Sequence, residues 1–184
     1  MKPVDKKVLE FLKKTDQPAL LSHIVDNVDL GRVKPFDLIK RLMDSALVSS
    51  KTQPFRFEIT QKARRFLVEV PEYSRTTAQH KIWTIMRMAR KFTVDDILQD
   101  LPEDAKPSRR IILAYLNKLE AVGYIGFFGS TSSTNGGSIK RYILLEKTGV
   151  KAPAVFADID GIYDYNLKPK DRWVVPATAQ AEVA

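Results

Sequence analysis

The chain contains no cysteine and only small numbers of glycine, histidine and tryptophan. Of its 184 residues, 8 are glycine, 2 are histidine and 2 are tryptophan. The lack of cysteine excludes disulfides and thiolate metal ligands, and it is typical of proteins in a reducing compartment. No run of about 18 apolar residues is present, so we expect no membrane-spanning helix. The N-terminal residues are charged and lack an apolar segment, so we also expect no secretory signal and a cytoplasmic location.

The motifs of common enzyme and cofactor classes are missing as well. The sequence has no G-x-x-x-x-G-K-[ST] phosphate-binding loop and no G-x-S-x-G nucleophile elbow. Its paired glycines, Gly136 and Gly137, lie in a predicted hairpin and do not lead from a strand into a helix. His23 and His80 are far apart, and neither belongs to a metal-binding spacing such as H-E-x-x-H. We therefore predict a protein that is not an enzyme and that needs no cofactor or metal.

Positive charge is concentrated in residues 1–150. The whole sequence has 30 Lys and Arg against 22 Asp and Glu, a net charge of +8. Residues 1–73 carry a net charge of +4 and residues 74–150 carry +5, whereas residues 151–184 carry −1. A basic balance favours polyanionic partners, because lysine and arginine neutralise phosphates and release their counterions. The alternative is a basic protein that binds no polyanion.

The hydrophobic pattern of residues 1–73 predicts helices followed by a hairpin. Apolar residues recur at intervals of three and four, the spacing of a helix with one buried face. A proline suits the first turn of a helix, so Pro35 is a predicted helix start. Predicted helices cover Pro3–Lys14, Leu20–Val28, Pro35 to about Ala46, and Gln61–Val70; predicted strands cover Leu47–Lys51 and Arg56–Thr60, joined by a short wing at Thr52–Phe55.

Residues 74–149 repeat this order of elements. Thr93 and Ser108 are expected helix N-caps, because a hydroxyl oxygen at that position accepts a backbone N–H of the first turn. Gly123 is expected to end the third helix of this unit. The predicted elements are a helix from about Thr77 to Ala89, a short helix from Thr93 to Leu101, a helix from Ser108 to Gly123, strands Tyr124–Phe128 and Arg141–Leu145, and a long polar loop at Gly129–Ser138 between the strands.

Helices followed by a hairpin with a basic edge are the order of a winged helix-turn-helix, a unit that binds DNA. We therefore predict an α+β, mostly helical fold with tandem winged helix-turn-helix units and a C-terminal extended arm. The first unit is assigned to residues 1–73, the second to 74–149 and the arm to 150–184, with a disordered end. The aromatics Tyr163, Tyr165 and Trp173 favour docking of the arm on a neighbouring domain or subunit, since disordered tails contain few aromatics. The alternative is a disordered acidic tail.

The third helix of the second unit carries the residue types best suited to reading DNA. In a winged helix this helix enters the major groove, and the wing reaches the backbone or the minor groove. Arginine can bond guanine through two hydrogen bonds, and asparagine can bond adenine in the same way. An ordinary solvated helix face is the alternative interpretation. The predicted groove contacts are Ser108, Arg109, Arg110, Asn117 and Lys118, and the predicted phosphate contacts are Lys106, Lys140 and Arg141.

The third helix of the first unit is a weaker candidate for DNA reading. It offers Lys34, Lys40 and Arg41 as predicted DNA contacts, but Asp37 and Asp44 on the same helix would repel phosphates. We therefore expect the first unit to contact the DNA backbone or to form a homodimer, because backbone contacts position a protein on DNA without specifying a sequence.

Several segments between Gln79 and Asn166 form a set that resembles one known group of proteins. The segments are Ile82–Arg87, Phe92–Leu98, Tyr115–Leu119 leading into Gly123-Tyr124, Tyr142–Gly149, Ala152-Pro153 and Gly161–Asn166. In these segments the chain resembles small winged-helix proteins of Mu-like transposable phages and prophages. The resemblance implies a winged-helix fold and a phage or prophage context.

The sequence thus predicts a non-catalytic protein that binds double-stranded DNA. We expect it to regulate transcription, recombination or replication in a phage or mobile element. The alternative is a winged-helix scaffold that binds another protein, because the third helix of such a domain then carries apolar or acidic residues. Salt separates the two, since DNA affinity falls steeply as salt rises.

Overall fold

The chain divides into two compact units, one formed by Met1–Val70 and one that begins at Pro71. The computed structural model describes residues 1–15, 17–51, 55–103, 106–132 and 138–177. Within these residues the fold is α+β, with seven helices, small antiparallel sheets and a helical content of 43%. The predicted α+β class is confirmed. No helix among the described residues has the length and apolar character needed to cross a membrane.

The first unit contains four helices and a three-stranded antiparallel sheet of order β1-β3-β2. Its third helix begins at Pro35, as predicted, with the proline in the first turn. Most of the predicted wing, Thr52–Pro54, lies outside the described residues. In chain order the elements are α1 (Pro3–Thr15), β1 (Ala19–Leu20), α2 (Leu21–Asn27), α3 (Pro35–Asp44), β2 (Val48–Lys51), β3 (Arg56–Ile59) and α4 (Gln61–Leu67).

The second unit repeats the order of the first six of these elements. A helix, a short strand, two helices and two strands follow one another in both units, and the sheet of the second unit has the order β4-β6-β5. The short strands β1 and β4 were not predicted, because two residues are too few to show a hydrophobic period. The elements are α5 (Ala78–Ala89), β4 (Lys91–Phe92), α6 (Val94–Asp100), α7 (Arg109–Ala121), β5 (Ile125–Ser132) and β6 (Ser138–Leu144).

Each unit has its own apolar core, formed by one face of each helix and one face of the sheet. In the first unit Val8 and Leu12 of α1 pack with Leu38 and Leu42 of α3, and all four side chains are buried. Residues four apart lie on one face of a helix, so this spacing explains why both helices bury a single stripe.

Hydroxyl side chains begin the helices of the second unit. Thr77 caps α5, and Ser108 caps α7 by accepting the N–H of Ile111. Thr93 and Asp96 form a reciprocal capping box at the start of α6, in which each side chain accepts the backbone N–H of the other residue. The predicted caps Thr93 and Ser108 are confirmed, and they fix where α6 and α7 start.

The hairpin of the second unit is longer than predicted. Strand β5 runs to Ser132 and β6 begins at Ser138, so much of the predicted loop Gly129–Ser138 is paired backbone. These positions carry small polar residues and glycine without apolar residues at every second position, so the sequence did not predict a strand here. The pairing includes a bulge between Phe127 and Gly129, where the register shifts by one residue. Residues 133–137, at the centre of the predicted loop, lie outside the described part.

The segment predicted as a C-terminal arm belongs to the second unit as far as the structure describes it. It forms a three-stranded antiparallel sheet of β7 (Ala154–Val155), β8 (Ile162–Tyr163) and β9 (Trp173–Val174), in the order β7-β8-β9. Ile162 joins the core that contains α5 and α7. The extended backbone of this segment is paired as a small sheet, and some of its residues bury apolar surface in the second unit. The end that is predicted to be disordered begins at Ala177, and its residues 178–184 lie outside the described part of the chain.

Three hydrogen bonds join residues 149–164 to α5, to α7 and to the residue that precedes β5. The Trp83 indole N–H donates to the carbonyl of Gly149 at 3.1 Å, and the Tyr115 hydroxyl donates to the carbonyl of Pro153 at 3.1 Å. The Tyr124 hydroxyl donates to the carboxylate of Asp164 at 2.7 Å. Burial raises the pKa of both tyrosines, so their hydroxyls stay protonated and remain donors.

Candidate nucleic-acid interface

Helix α7 separates its side chains into a buried face and an exposed face. Ile112, Tyr115, Leu116 and Leu119 are buried in the core of the second unit. Its exposed positions carry arginine, asparagine, isoleucine and alanine, and no carboxylate. These positions are Arg109, Arg110, Ile111, Ala114, Asn117 and Ala121.

Two of the predicted groove contacts lie on one stripe of α7. Arg110 and Asn117 are seven residues apart, with Ala114 between them, so they project from the same face of the helix. Within the described residues neither Arg110 nor Asn117 has a side-chain partner. The small side chain of Ala114 leaves the backbone of α7 open between them, so a flat or grooved surface can approach closely.

Arg109 is engaged differently from its neighbour Arg110. Its guanidinium forms an ion pair with Asp95 of α6, and both side chains are 49% exposed. The second guanidinium nitrogen lies 3.5 Å from the other carboxylate oxygen of Asp95. Asp95 therefore neutralises much of the charge that Arg109 would offer to a polyanion.

Lys106 and Lys118, both predicted DNA contacts, are also held by neighbours. Lys106 pairs with Glu103 at the entrance to α7. The ammonium group of Lys118 donates to the carbonyl of Ile159 at 2.6 Å and lies 4.0 Å from Asp160. Lys118 thus fastens the C-terminal segment to α7. Ser108 serves as the cap of α7, so its side-chain oxygen is committed to the helix start.

The hairpin β5–β6 presents a cluster of cations around an exposed aromatic ring. Lys140 and Arg141 are exposed on β6, opposite Ser130 and Gly129 of β5. The Arg141 guanidinium lies 5.6 Å from the centroid of the Phe128 ring, and the Lys91 ammonium lies 4.0 Å from it. We call Lys91, Phe128 and Arg141 the Phe128 cluster. Cations over an aromatic face are attracted by its quadrupole, which positions both charges at the surface of the sheet.

Lys91 and Phe128 were not predicted as part of the site. Lys91 belongs to β4, which is too short to recognise in the sequence, and it is brought to the hairpin because β4 pairs with β6. Phe128 lies at the bulge, so its position depends on the register shift. In the sequence, a charged residue at 91 followed by an apolar residue at 92 is compatible with a strand, but two residues are too few to establish an alternation.

The predicted residues of the first unit do not form a common basic face. Lys34 lies at the N-cap of α3 and is exposed, and Lys40 is exposed further along the helix. Arg41 forms an ion pair with Asp5 of α1, which is only 4% exposed. Burial by itself raises the pKa of Asp5, but the hydrogen bonds from Arg41 and from the backbone N–H of Lys2 outweigh it and lower the pKa. Arg41 therefore stabilises the first unit internally.

An apolar groove occupies the exposed side of α3. It has a volume of about 590 Å³ and lies between α3 and the β2–β3 hairpin. Phe36 is 71% exposed and Phe55 is 64% exposed at this groove. Lys40 and Asp44 line it as well, so the groove combines aromatic surface with one charge of each sign.

The described residues contain no group of three or more histidine, aspartate or glutamate side chains that could hold a metal ion. In comparisons with known proteins, the chain matches no family model, no curated protein and no solved structure.

Proposed function

We propose that both units are winged helix-turn-helix domains and that the second unit binds double-stranded DNA without catalysis. The order helix, strand, helix, helix, strand, strand in each unit supports this assignment. In the proposed complex α7 enters the major groove and the β5–β6 hairpin follows the phosphate backbone as a wing.

The observation that carries the proposal is the composition of the exposed face of α7. Among the described residues Arg110 and Asn117 have no side-chain partner and lie on one stripe, and no exposed position of this helix carries a carboxylate. These are the side chains that bond guanine and adenine edges in the major groove. Helix α3 is less suited than α7 to contact DNA bases, because its exposed Asp37 and Asp44 would repel the phosphates.

The wing supplies the phosphate contacts in this proposal. Lys140 and the Phe128 cluster place three cations, Lys91, Lys140 and Arg141, on one hairpin and its neighbouring strand. Residues 74–150 carry a net charge of +5, which attracts a polyanion over a longer range. Regulation of transcription, recombination or replication in a phage or mobile element is the role that we propose for this binding, on the basis of the sequence resemblance alone.

Fluorescence anisotropy with random duplex DNA at several salt concentrations tests the proposal. Three to four phosphate contacts correspond to a slope of log affinity against log salt of about −3 to −4. Lys140→Ala and Arg141→Ala should each reduce the magnitude of the slope by about 1. Lys14→Ala, which removes an exposed cation of α1, is the matched control and should leave the slope unchanged. An absence of binding at low salt would reject the proposal.

The apolar groove of α3 favours a second candidate function, in which the first unit contacts protein. A second copy of the chain suits this groove, because Lys40 and Asp44 lie one helical turn apart. Around a two-fold axis each of them can pair with the opposite charge of the other copy. Exposed aromatic surface of this kind marks interaction sites.

Sedimentation equilibrium distinguishes this candidate from DNA binding alone. If the first unit dimerises through the groove, wild-type protein should associate, and Phe36→Glu should shift it to monomer. Met88→Glu is the control, because Met88 is 82% exposed and belongs to the second unit. A wild-type protein that stays monomeric at all concentrations, or a Phe36→Glu variant that still associates, would exclude the groove as a dimer interface.

A further inference from the structure

A small basic pocket lies beside α5 in the second unit and is used by none of the functions described above. It has a volume of about 280 Å³. Three of its side chains come from one face of α5, at spacings of four and three residues, and two come from the segment before that helix. The pocket is lined by Tyr73, Arg75, His80, Thr84, Arg87 and Val150.

The charge of this pocket is positive. Its lining includes two arginines and no carboxylate. Among the described residues, no ion pair involves Arg75 or Arg87. A third cation, Lys151, lies 5.6 Å from the centroid of the Tyr73 ring. Burial, followed by the charges of Arg75 and Arg87, lowers the pKa of His80, which is the response of an imidazole surrounded by cations.

Arg87 carries a polar atom that is buried and has no partner. Its Nε is shielded from water, and no described residue accepts a hydrogen bond from it. Buried donors are nearly always satisfied, because an unpaired donor loses its bonds to water. Arg41 also has an unpaired Nε, but the guanidinium of Arg41 is already bonded to Asp5. No described acid pairs with Arg87, so the terminal nitrogens of its guanidinium are not committed within the unit and can take an external anion.

The tyrosine and histidine of the pocket add a further donor. The Tyr73 hydroxyl lies 2.5 Å from Nδ1 of His80. If the Tyr73 hydroxyl donates to Nδ1, the neutral His80 imidazole still carries a hydrogen on Nε2. If His80 instead donates its Nδ1–H to the Tyr73 oxygen, the hydroxyl hydrogen of Tyr73 stays unused. In either tautomer, therefore, this pair retains one hydrogen for a ligand. Thr84 offers none, because its hydroxyl donates to the carbonyl of His80 at 2.9 Å.

We propose that this pocket binds a phosphoryl group. Arg75 and Arg87 would pair with its oxygens, and the Tyr73–His80 pair would donate a further hydrogen bond. Guanidinium groups match phosphate geometry through two parallel N–H bonds. A phosphoryl group is tetrahedral, so its oxygens can accept from two guanidinium groups and a third donor that approach from different sides, whereas the acceptor sites of a carboxylate lie in one plane. The group can belong to a free phosphate or to the backbone of DNA, and the experiment separates these sources.

The test follows the imidazole signals of the full chain by NMR during pH titrations. One titration contains inorganic phosphate, a second contains a short duplex DNA, and a third contains chloride at equal ionic strength. A bound anion stabilises the imidazolium, so the pKa of His80 should rise by about one unit. A rise with phosphate identifies a site for free phosphate, and a rise with duplex alone identifies a backbone contact. The signals of His23, in the first unit, serve as the internal control.

Arg87→Gln should abolish the response of His80, and Arg75→Gln should weaken it. Lys81→Gln removes a cation from the adjacent position of α5, outside the pocket lining, and should preserve the response. The amide spectrum of each variant checks that the second unit is folded. The proposal is overturned if neither probe moves His80 in the wild-type protein, or if the response survives in both arginine variants. Duplex binding by anisotropy is read separately, so failure of the pocket and failure of the DNA proposal are distinguishable.

Discussion

Ala46 and Gly123 occupy the same position in the same turn of the two units. Ala46 follows α3 with φ of 54°, and Gly123 follows α7 with φ of 79°, so both lie in the left-handed region. In each turn the N–H of the next residue donates to the carbonyl five positions before it, at 2.9 Å. This is the geometry of a Schellman helix end, for which glycine is the usual residue. The first unit thus carries an alanine where the second carries the preferred glycine.

Ala46→Gly is expected to stabilise the first unit by about 0.5–1 kcal/mol, because glycine adopts this conformation without a Cβ clash. Gly123→Ala should destabilise the second unit by about 1 kcal/mol. A Cβ at Gly123 would meet no atom within 4 Å, so its cost comes from the backbone alone. Urea unfolding measures both changes.

Circular dichroism follows both units in this experiment, and tryptophan fluorescence follows the second unit, which contains Trp83 and Trp173. Ala114→Gly, in the middle of α7, is the control and should destabilise by about 1 kcal/mol, because glycine weakens a helix interior. If Ala46→Gly destabilises the protein as much as Ala114→Gly does, relief of the left-handed conformation at Ala46 does not control the stability of the first unit.

Acid should weaken the first unit through Asp5. The pKa of Asp5 is lowered in the fold, so its ion pair with Arg41 stabilises at pH values above the unfolded pKa of 3.8. This contribution is lost as the pH falls through the folded pKa. Asp5→Asn should cost about 1–3 kcal/mol at pH 7, and the difference from wild type should shrink below pH 4.

Urea unfolding followed by circular dichroism at pH 7, 5 and 3 measures this difference. Asp26→Asn is the control, because Asp26 is exposed on α2 and has no partner among the described residues. A constant difference between wild type and Asp5→Asn across this pH range would show that the ion pair is not responsible.

Removal of Asp95 should tighten DNA binding. Asp95 pairs with Arg109 beside the exposed face of α7, and its own charge repels phosphates. Asp95→Asn frees Arg109, so we expect the affinity for duplex DNA to rise by about 2–5-fold at low salt. Anisotropy titrations measure the change, with Asp100→Asn at the other end of α6 as the control. Equal affinities of the wild type and Asp95→Asn for duplex DNA would show that the DNA does not bind next to Asp95 and Arg109.

Asp164 should be essential for the stability of the C-terminal sheet. Its carboxylate is fully buried and accepts hydrogen bonds from the Tyr124 hydroxyl and from the backbone and side chain of Asn166, all at 2.7–2.8 Å. Asp164→Ala leaves the Tyr124 hydroxyl and the Asn166 backbone N–H without this acceptor, while the Asn166 side chain keeps its hydrogen bond to the carbonyl of Lys151. The substitution should destabilise the second unit by about 2–4 kcal/mol. Tyr124→Phe removes one donor and should cost about 1 kcal/mol.

Tryptophan fluorescence during urea unfolding reports this loss. Asp171→Ala, an exposed position in the same segment, should change the free energy of unfolding by less than about 0.5 kcal/mol. A loss of similar size in Asp164→Ala and Asp171→Ala would mean that the buried hydrogen bonds contribute little.

Local chemistry made the helices, the hairpins and the caps of α6 and α7 predictable. Thr93 and Ser108 cap because their hydroxyls lie one residue before an apolar-periodic segment, and this signal is complete within a few residues. The strands β1 and β4 could not be predicted, because their signal is not contained in their own residues. They consist of two residues each and exist because another strand offers them hydrogen bonds.

The candidate site was less predictable, since charge in a sequence does not reveal its partner. Arg109 and Arg110 are adjacent and chemically identical, but Arg109 is paired with Asp95, whereas Arg110 has no partner in the part of the chain that the structure describes. Lys118 looked like an exposed cation of a helix, but it holds the carbonyl of Ile159 at the C-terminal sheet.

The sequence by itself determined the α+β class, the repeated order of three helices and a hairpin, and the positive charge of residues 1–150, because each depends on neighbours within a turn or on composition. Tertiary structure decided which cations are free. The ion pair of Arg109 joins residues 14 apart, that of Arg41 joins residues 36 apart, and the bond of Lys118 spans 41. Contacts over such separations form when helices pack, and packing depends on the whole core of a unit.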